Sequence, residues 1–391
     1  MRASAHPPGV DRRRSAHRHW GARLALAAAS LAVALVVAEV VAGRLAHLEP
    51  VTLVADPLLG FRGRPHLDIP WTREMEGGER RVRTNRGGYH DLERPLERTP
   101  GTARLAFLGD SFLEAYQVEI AGNFSQRTAA LLSARGTPGG RPVEAVNFGV
   151  HGYGLGVHYL FVQERLVAWH PDAVVLALFL GNDLQDNYAP LASAAVPRFH
   201  MAAGELVYLP APRGGPRVWL RDRVLARSAL MRLVWARLIK SNQGALQLAR
   251  EAGLVSTPST AVVGRQDLDE MVAVADELVG RLAAQLSASG VDLLVFVIPD
   301  PIRVHHLVTA AGGTPSADPP AMQEEKAAIE GAVLGLLQRQ GIRYLYPRDL
   351  FIERLRAGEE IYLNGFGHFT QAAHELSAEL LAGALAQKKS W

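Results

Sequence analysis

Four short blocks in this 391-residue chain carry side chains that can do nucleophilic chemistry. Gly109-Asp110-Ser111 offers a hydroxyl. Asn147-Phe148-Gly149-Val150-His151-Gly152 offers a glycine N–H with no side chain in front of it. Gly181-Asn182-Asp183 offers an amide, and Gly367-His368 an imidazole. Serine is a poor nucleophile until a base takes its proton, and attack on a carbonyl needs preorganised donors for the oxyanion that forms. Ser111 with His368 as base would meet the first need. The N–H groups of Ser111 and Gly152 and the amide of Asn182 would meet the second. Such donors are typically worth about 10²–10³ each in rate. Other residues have plainer readings. Asp110 and Asp183 brace their turns by hydrogen bonding. His151 lines the pocket or supports a neighbour, and His158, His170 and His374 are packing or helix-surface residues. His305 and His306 have no carboxylate at ligand spacing, so neither a metal nor a cofactor is expected.

What would bring these blocks together is the order of the elements between them. Apolar runs at 103–108, 143–148, 173–180, 291–298 and 342–346 read as five strands. Helical patterns at 124–135, 157–169, 267–289, 322–340 and 370–386 alternate with them, and 310–320 reads as a loop. Asp267 with Glu270 has the spacing of a capping box. Strands alternating with helices imply βαβ units and a mostly parallel sheet covered on both faces, an α/β/α sandwich of three layers. The first three blocks each follow a strand. In a parallel sheet they must leave by the same edge, where open α/β sheets bind ligands.

Outside that core, residues 1–20 are basic and 21–43 form an apolar run. About 20 apolar residues at about 1.5 Å each span a bilayer core. The arginines before the run orient the N-terminus to the cytoplasm. The expectation is a single-pass signal anchor with the rest of the chain on the periplasmic or extracellular side; a cleaved signal peptide ending near Val40-Val41-Ala42 is the competing reading. From Leu24 to Gly43 Glu39 is the one charge, and it lies near the outer end. Residues 44–103 read as an irregular stalk and wrap, with a turn at 84–89. Residues 185–262 interrupt the βα alternation as a helical insertion. A basic, Trp-bearing stretch with Trp219 and Trp235 suits a lid, a surface decoration or a membrane contact. The net charge of +3, much of it before Trp20, makes no case for nucleic acid, and the lack of cysteine excludes disulfides and thiol chemistry. Oligomeric state is not legible.

The blocks resemble those of the SGNH hydrolases, the superfamily of GDSL-type esterases and lipases, in type, order and position. The resemblance implies a flavodoxin-like α/β/α domain over 104–388, with Ser111 as nucleophile, His368 as base, and Ser111, Gly152 and Asn182 forming the oxyanion hole. The anchor, the stalk and the Asn85-x-x-Gly88 turn also resemble membrane-anchored bacterial members. Those suggest a serine esterase acting on O-acyl groups of a cell-surface glycan, with O-acyl transfer or glycan binding without turnover as alternatives. One departure stands out. The family has an Asp two or three residues before the His, where this chain has Phe366 and Gly365. Either another carboxylate (Glu359, Glu360 or Asp349) orients His368, or Asn364 or a backbone carbonyl does so in a Ser-His dyad, or the site is weakened.

Overall fold

The computed structural model describes residues 12–45, 50–72, 74, 78–136, 140–192, 195–211, 214–251, 263–311, 319–365 and 367–387. Parts of the predicted basic tail (1–11), insertion (252–262) and loop (312–318), and Phe366, lie outside the described residues. Two units divide the chain: Met1–Val51 with Pro216–Val255, and Thr52–Gly215 with Ser256–Trp391.

In chain order, α1 (Arg12–Leu45) is followed by two antiparallel hairpins, β1 (Leu53–Asp56) with β2 (Gly60–Gly63) and β3 (Asp68–Trp71) with β4 (Arg80–Arg83). Then come β5 (Ala103–Leu108), α2 (Ser111–Glu114), α3 (Phe124–Arg135), β6 (Val143–Asn147), α4 (Leu155–Glu164) and β7 (Ala173–Phe179). A third hairpin, β8 (Arg198–Ala202) with β9 (Glu205–Leu209), precedes α5 (Pro216–Trp219), α6 (Ala229–Val234) and α7 (Gln243–Glu251). The chain closes with α8 (Arg265–Ala288), β10 (Asp292–Ile298), α9 (Pro301–Ala311), α10 (Pro320–Arg339), β11 (Tyr344–Leu345), α11 (Arg348–Arg356) and α12 (Gln371–Ala386).

In the sheet unit five parallel strands run in the order β11-β10-β7-β5-β6. Numbered by their succession within this sheet, that is 2-1-3-4-5 read from the β6 edge, the flavodoxin-like order, whose switch point falls between β5 and β7. Alternate residues of each strand enter two separate cores. Ala106, Leu108, Val174, Leu176 and Leu178 join the core that includes α4, α8 and α10 residues. Leu105, Phe107, Ala173, Val175 and Ala177 join the one that includes α3 and α12 residues. Burial on both faces explains why these strands read as continuous apolar runs rather than alternating ones.

Four sequence expectations change. The 44–103 segment is not irregular, because it holds two of the hairpins; strands of four residues are too short to display a period. Asp267 and Glu270 do not form a capping box. Gly264 is the N-cap of α8, and both carboxylates accept from the Tyr188 hydroxyl, at 3.3 and 2.8 Å. The 157–169 helix is broken: α4 ends at Glu164, and a 3-10 turn (Leu166–Trp169) leads to His170 at φ 46°, since the residue before Pro171 is barred from the helical region. Finally, the insertion belongs to both units. The β8–β9 hairpin sits in the sheet unit, where the Met201 N–H donates to Glu270, while α5 to α7 belong with α1.

A buried cation fastens the start of the sheet. Arg104 on β5 is fully buried, and its Nε donates to Glu144 on β6 at 2.7 Å. Its two Nη groups donate to the carbonyls of Leu96, Trp169, Pro95 and Glu97. The segment that follows the hairpins is thereby tied to β5 and to the edge strand β6.

Candidate active site

Ser111 is the first residue of α2, immediately beyond β5. Asp110 is the N-cap: its Oδ1 accepts the Phe112 N–H at 2.9 Å, which fixes the turn that lifts Ser111 off the sheet edge. Gly149, in the loop after β6, lies so close to α2 that a Cβ there would strike the Glu114 N–H. The Asn147 side chain holds this approach, donating to the Leu113 carbonyl at 3.0 Å and accepting from the Gly149 N–H at 2.8 Å. Gly152, further along the loop, adopts φ +77°, a conformation that favours glycine.

His368 sits on a tight return before α12. A bridge pairs Tyr362 with Phe369, and the Leu363 N–H donates to the His368 carbonyl at 2.8 Å. The Phe112 ring meets the imidazole edge-on at 5.1 Å. His368 Nε2 lies 2.8 Å from Ser111 Oγ, and its Nδ1 lies 2.6 Å from Glu74 Oε2. A carboxylate on Nδ1 fixes a proton there and leaves Nε2 free to accept the serine proton. Ser111 Oγ is also 3.4 Å from Asp110 Oδ2, a longer and weaker contact than that to His368. The side chains of His368 and Glu74 remain 28% and 25% exposed, so solvent reaches the relay.

Glu74 lies in the β3–β4 connection at φ +59°. The hairpin is seated by Trp71, whose ring meets Tyr116 edge-on at 5.1 Å, and by an Arg80–Glu119 ion pair at 2.5 Å. The carboxylate at His368 therefore comes from the segment read as stalk and wrap, and the candidates named from the sequence are corrected. Glu359 pairs with Arg354 at 2.9 Å, and Asp349 pairs with Arg348 at 2.8 Å on the surface. The Glu360 carbonyl accepts from Thr370, while Asn364 makes a left-handed turn at φ 50°. Each of these has a local task in the chain leading to His368. No sequence pattern joins residues 294 positions apart, so Glu74 was not legible. The one signal was negative: a histidine block lacking its acid required a carboxylate from elsewhere, and the wrap held acidic residues without a role.

The remaining predicted residues fall around this relay. Asn182 follows β7, and its Nδ2 donates to Asp186 at 2.6 Å, leaving one of its two amide hydrogens. Because β5 lies between β6 and β7, Ser111 emerges between the loops that carry Gly152 and Asn182. Asp183 Oδ2 accepts the Phe179 N–H at 2.7 Å and closes the turn after β7. His151 Nδ1 meets Glu114 Oε2 at 2.7 Å and its Nε2 lies 3.4 Å from Thr52 Oγ1, a second carboxylate-held imidazole on the Gly152 loop. His158 and His374 are buried packing residues, pushed down to about 3 by burial. Among the described residues no group of three or more His, Asp or Glu is arranged to hold a metal.

Charge supports the relay. Burial alone would lower the His368 pKa, but the Glu74 hydrogen bond and charge, with Asp110 and Glu114 nearby, hold it above the ordinary imidazole value. Burial raises Asp110 and Asp183 above the usual carboxylate range; the Glu114 charge adds to the rise at Asp110, and the Asp110 charge to that at Asp183. Asp186 is pushed up to about 6, again by burial.

No family model and no curated protein matches this chain. Solved structures do. The acetyl xylan esterase AlAXEase is 12% identical with a TM-score of 0.40, the match covering 72% of this chain and 99% of that one. A lipolytic protein of the G-D-S-L family from Desulfitobacterium hafniense, described as putative, is 9% identical with a TM-score of 0.38, covering 73% and 100%. An acetylxylan esterase from Geobacillus stearothermophilus is 12% identical with a TM-score of 0.39, covering 75% and 99%. In this chain itself, strand order and block positions define a flavodoxin-like α/β/α domain with a serine-hydrolase type of site. That is the arrangement of the SGNH hydrolases its four blocks resemble.

Proposed function

We propose that this chain is a membrane-anchored serine esterase that removes O-acyl groups from a cell-surface glycan. The observation that carries the reading is the continuous relay from Ser111 Oγ through His368 to Glu74, at 2.8 and 2.6 Å. Ser111 Oγ attacks the ester carbonyl as its proton passes to His368 Nε2. The oxyanion accepts hydrogen bonds from the N–H groups of Ser111 and Gly152 and from the Asn182 amide. The imidazolium, balanced by Glu74, then gives its proton to the departing alcohol and leaves an acyl-serine. Water attacks that ester, its proton going to His368, and the acid departs as Ser111 regains its proton. The non-catalytic reading drew its motive from the missing acid; the Glu74 contact supports the esterase reading over it.

The anchor is α1. It holds an apolar stretch of 23 residues, Ala22–Arg44, long enough to cross a bilayer. Basic residues precede the stretch, which favours an orientation with the sheet unit on the non-cytoplasmic side. The test is hydrolysis of p-nitrophenyl acetate by the full chain in detergent. Wild-type turnover should fall by at least about 10³ in Ser111→Ala. Equal rates for the two proteins would overturn the assignment.

A further inference from the structure

Residues 216–251 have no task in the proposed chemistry, yet their composition is unusual for a solvated surface. Eight of them are Lys or Arg, against only Asp222 and Glu251. In this stretch Trp219, Val234, Leu238 and Leu248 are exposed, at 61, 39, 62 and 66%. Arg223, Arg227 and Arg237 are exposed among them. Large apolar side chains interleaved with arginines along helices are the make-up of a segment lying in a membrane interface.

The same unit shows at what depth this segment would lie. Glu39, the one acidic residue in the apolar stretch of α1, caps α6. Its carboxylate accepts from the Ser228 hydroxyl at 2.6 Å, from the Ala229 N–H at 2.5 Å and from the Leu230 N–H at 3.2 Å. Glu39 is five residues short of Arg44, the end of that stretch. At about 1.5 Å per residue this puts the start of α6 roughly 7 Å inside the outer end, just within the headgroup–acyl boundary where interfacial helices lie. A carboxylate there is satisfied by helix N–H groups instead of water, which accounts for an acidic residue in an otherwise apolar run.

We propose that residues 216–251 form a platform that lies on the outer leaflet of an anionic bilayer, fixed to the transmembrane helix by Glu39. The bilayer is the occupant that the apolar exposure, the excess of arginine and continuity with α1 together favour. The proposal rests on the reading of α1 as a membrane anchor, and the test separates the two. The chain has no cysteine, so single cysteines can carry nitroxide labels without background. Val33→Cys, Leu238→Cys and Leu248→Cys would be made in the full chain, reconstituted in phosphatidylcholine vesicles with and without phosphatidylglycerol. Depth would be read from the ratio of oxygen to nickel-chelate accessibility.

With phosphatidylglycerol present, labels at 238 and 248 should shift toward the lipid-type ratio of the label at 33. Without it they should move back toward water. Combining Leu238→Cys with Glu39→Gln should reduce the immersion at 238. A lipid-type ratio at 33 with water-type ratios at 238 and 248 would overturn the platform while leaving the anchor intact. A water-type ratio at 33 would overturn the anchor and the platform with it. Equal immersion in both vesicle types would overturn the choice of an anionic surface.

Discussion

Glu74 and His368 set how the site responds to pH. The imidazole must be neutral to accept the Ser111 proton, so kcat/KM rises as pH passes the His368 pKa. With Glu74, Asp110 and Glu114 together outweighing burial, that pKa lies above the ordinary 6.5. The acid limb of kcat/KM for the wild type should accordingly be centred above pH 6.5. Glu74→Gln removes the charge while keeping the shape. It should move the limb to lower pH and reduce kcat/KM by about 10²–10⁴, the upper figure being the cost of the acid-to-amide change in serine proteases. A pH–rate profile of both proteins checks the two effects at once; an unmoved limb would detach Glu74 from the base. At this scale Ser111 and His368 were legible because each occupies a recognisable position, after a strand and before a helix. Glu74 occupies no such position. It meets His368 through a contact 294 positions away in the chain, and nothing local to residue 74 signals that.

The strands that lead to Ser111, Gly152 and Asn182 were the legible elements. Strands β5, β6 and β7 are buried on both faces and too apolar to be anything else at their length. Their order in sequence already sends Ser111, Gly152 and Asn182 to one edge. The β3–β4 hairpin left no such trace, with four residues per strand and arginines at Arg80, Arg81 and Arg83. Asp267 and Glu270 show the opposite error, a convincing local pattern that serves a tertiary contact with Tyr188. The join between the two kinds of element is Arg104, which donates to Glu144 on β6 and to the carbonyls of Pro95, Leu96, Glu97 and Trp169, and so holds that segment to β5 and β6. Arg104→Ala would leave buried Glu144 with only longer contacts, to Arg94 at 3.4 Å and Thr99 at 3.3 Å. A one-sided break of a buried pair costs about 3–5 kcal/mol. Urea unfolding of the full chain in detergent, followed by circular dichroism, should show a loss of that size. A change below about 1 kcal/mol, the scale of an exposed pair, would mean the fastening is only superficial.

For the whole molecule, the flavodoxin-like order of the sheet matters more than any one residue. The switch point between β5 and β7 opens the crevice at which Ser111 stands. The chain before the sheet then supplies what the histidine block lacks, so the relay is assembled from three distant parts of the sequence: residues 74, 111 and 368. The α/β alternation was enough to infer the sheet and its reactive edge. It was not enough to infer that the supposed stalk belongs to the same unit as the sheet, because hairpins that short gain their stability from packing and not from pattern. The most direct test of the assembled relay is labelling of the full chain by a fluorophosphonate probe, with the modified peptide mapped by mass spectrometry. The relay requires labelling at Ser111, lost in His368→Ala and strongly slowed in Glu74→Gln. Labelling of Ser111 at the same rate in all three proteins, or no labelling of the folded wild type, would contradict it.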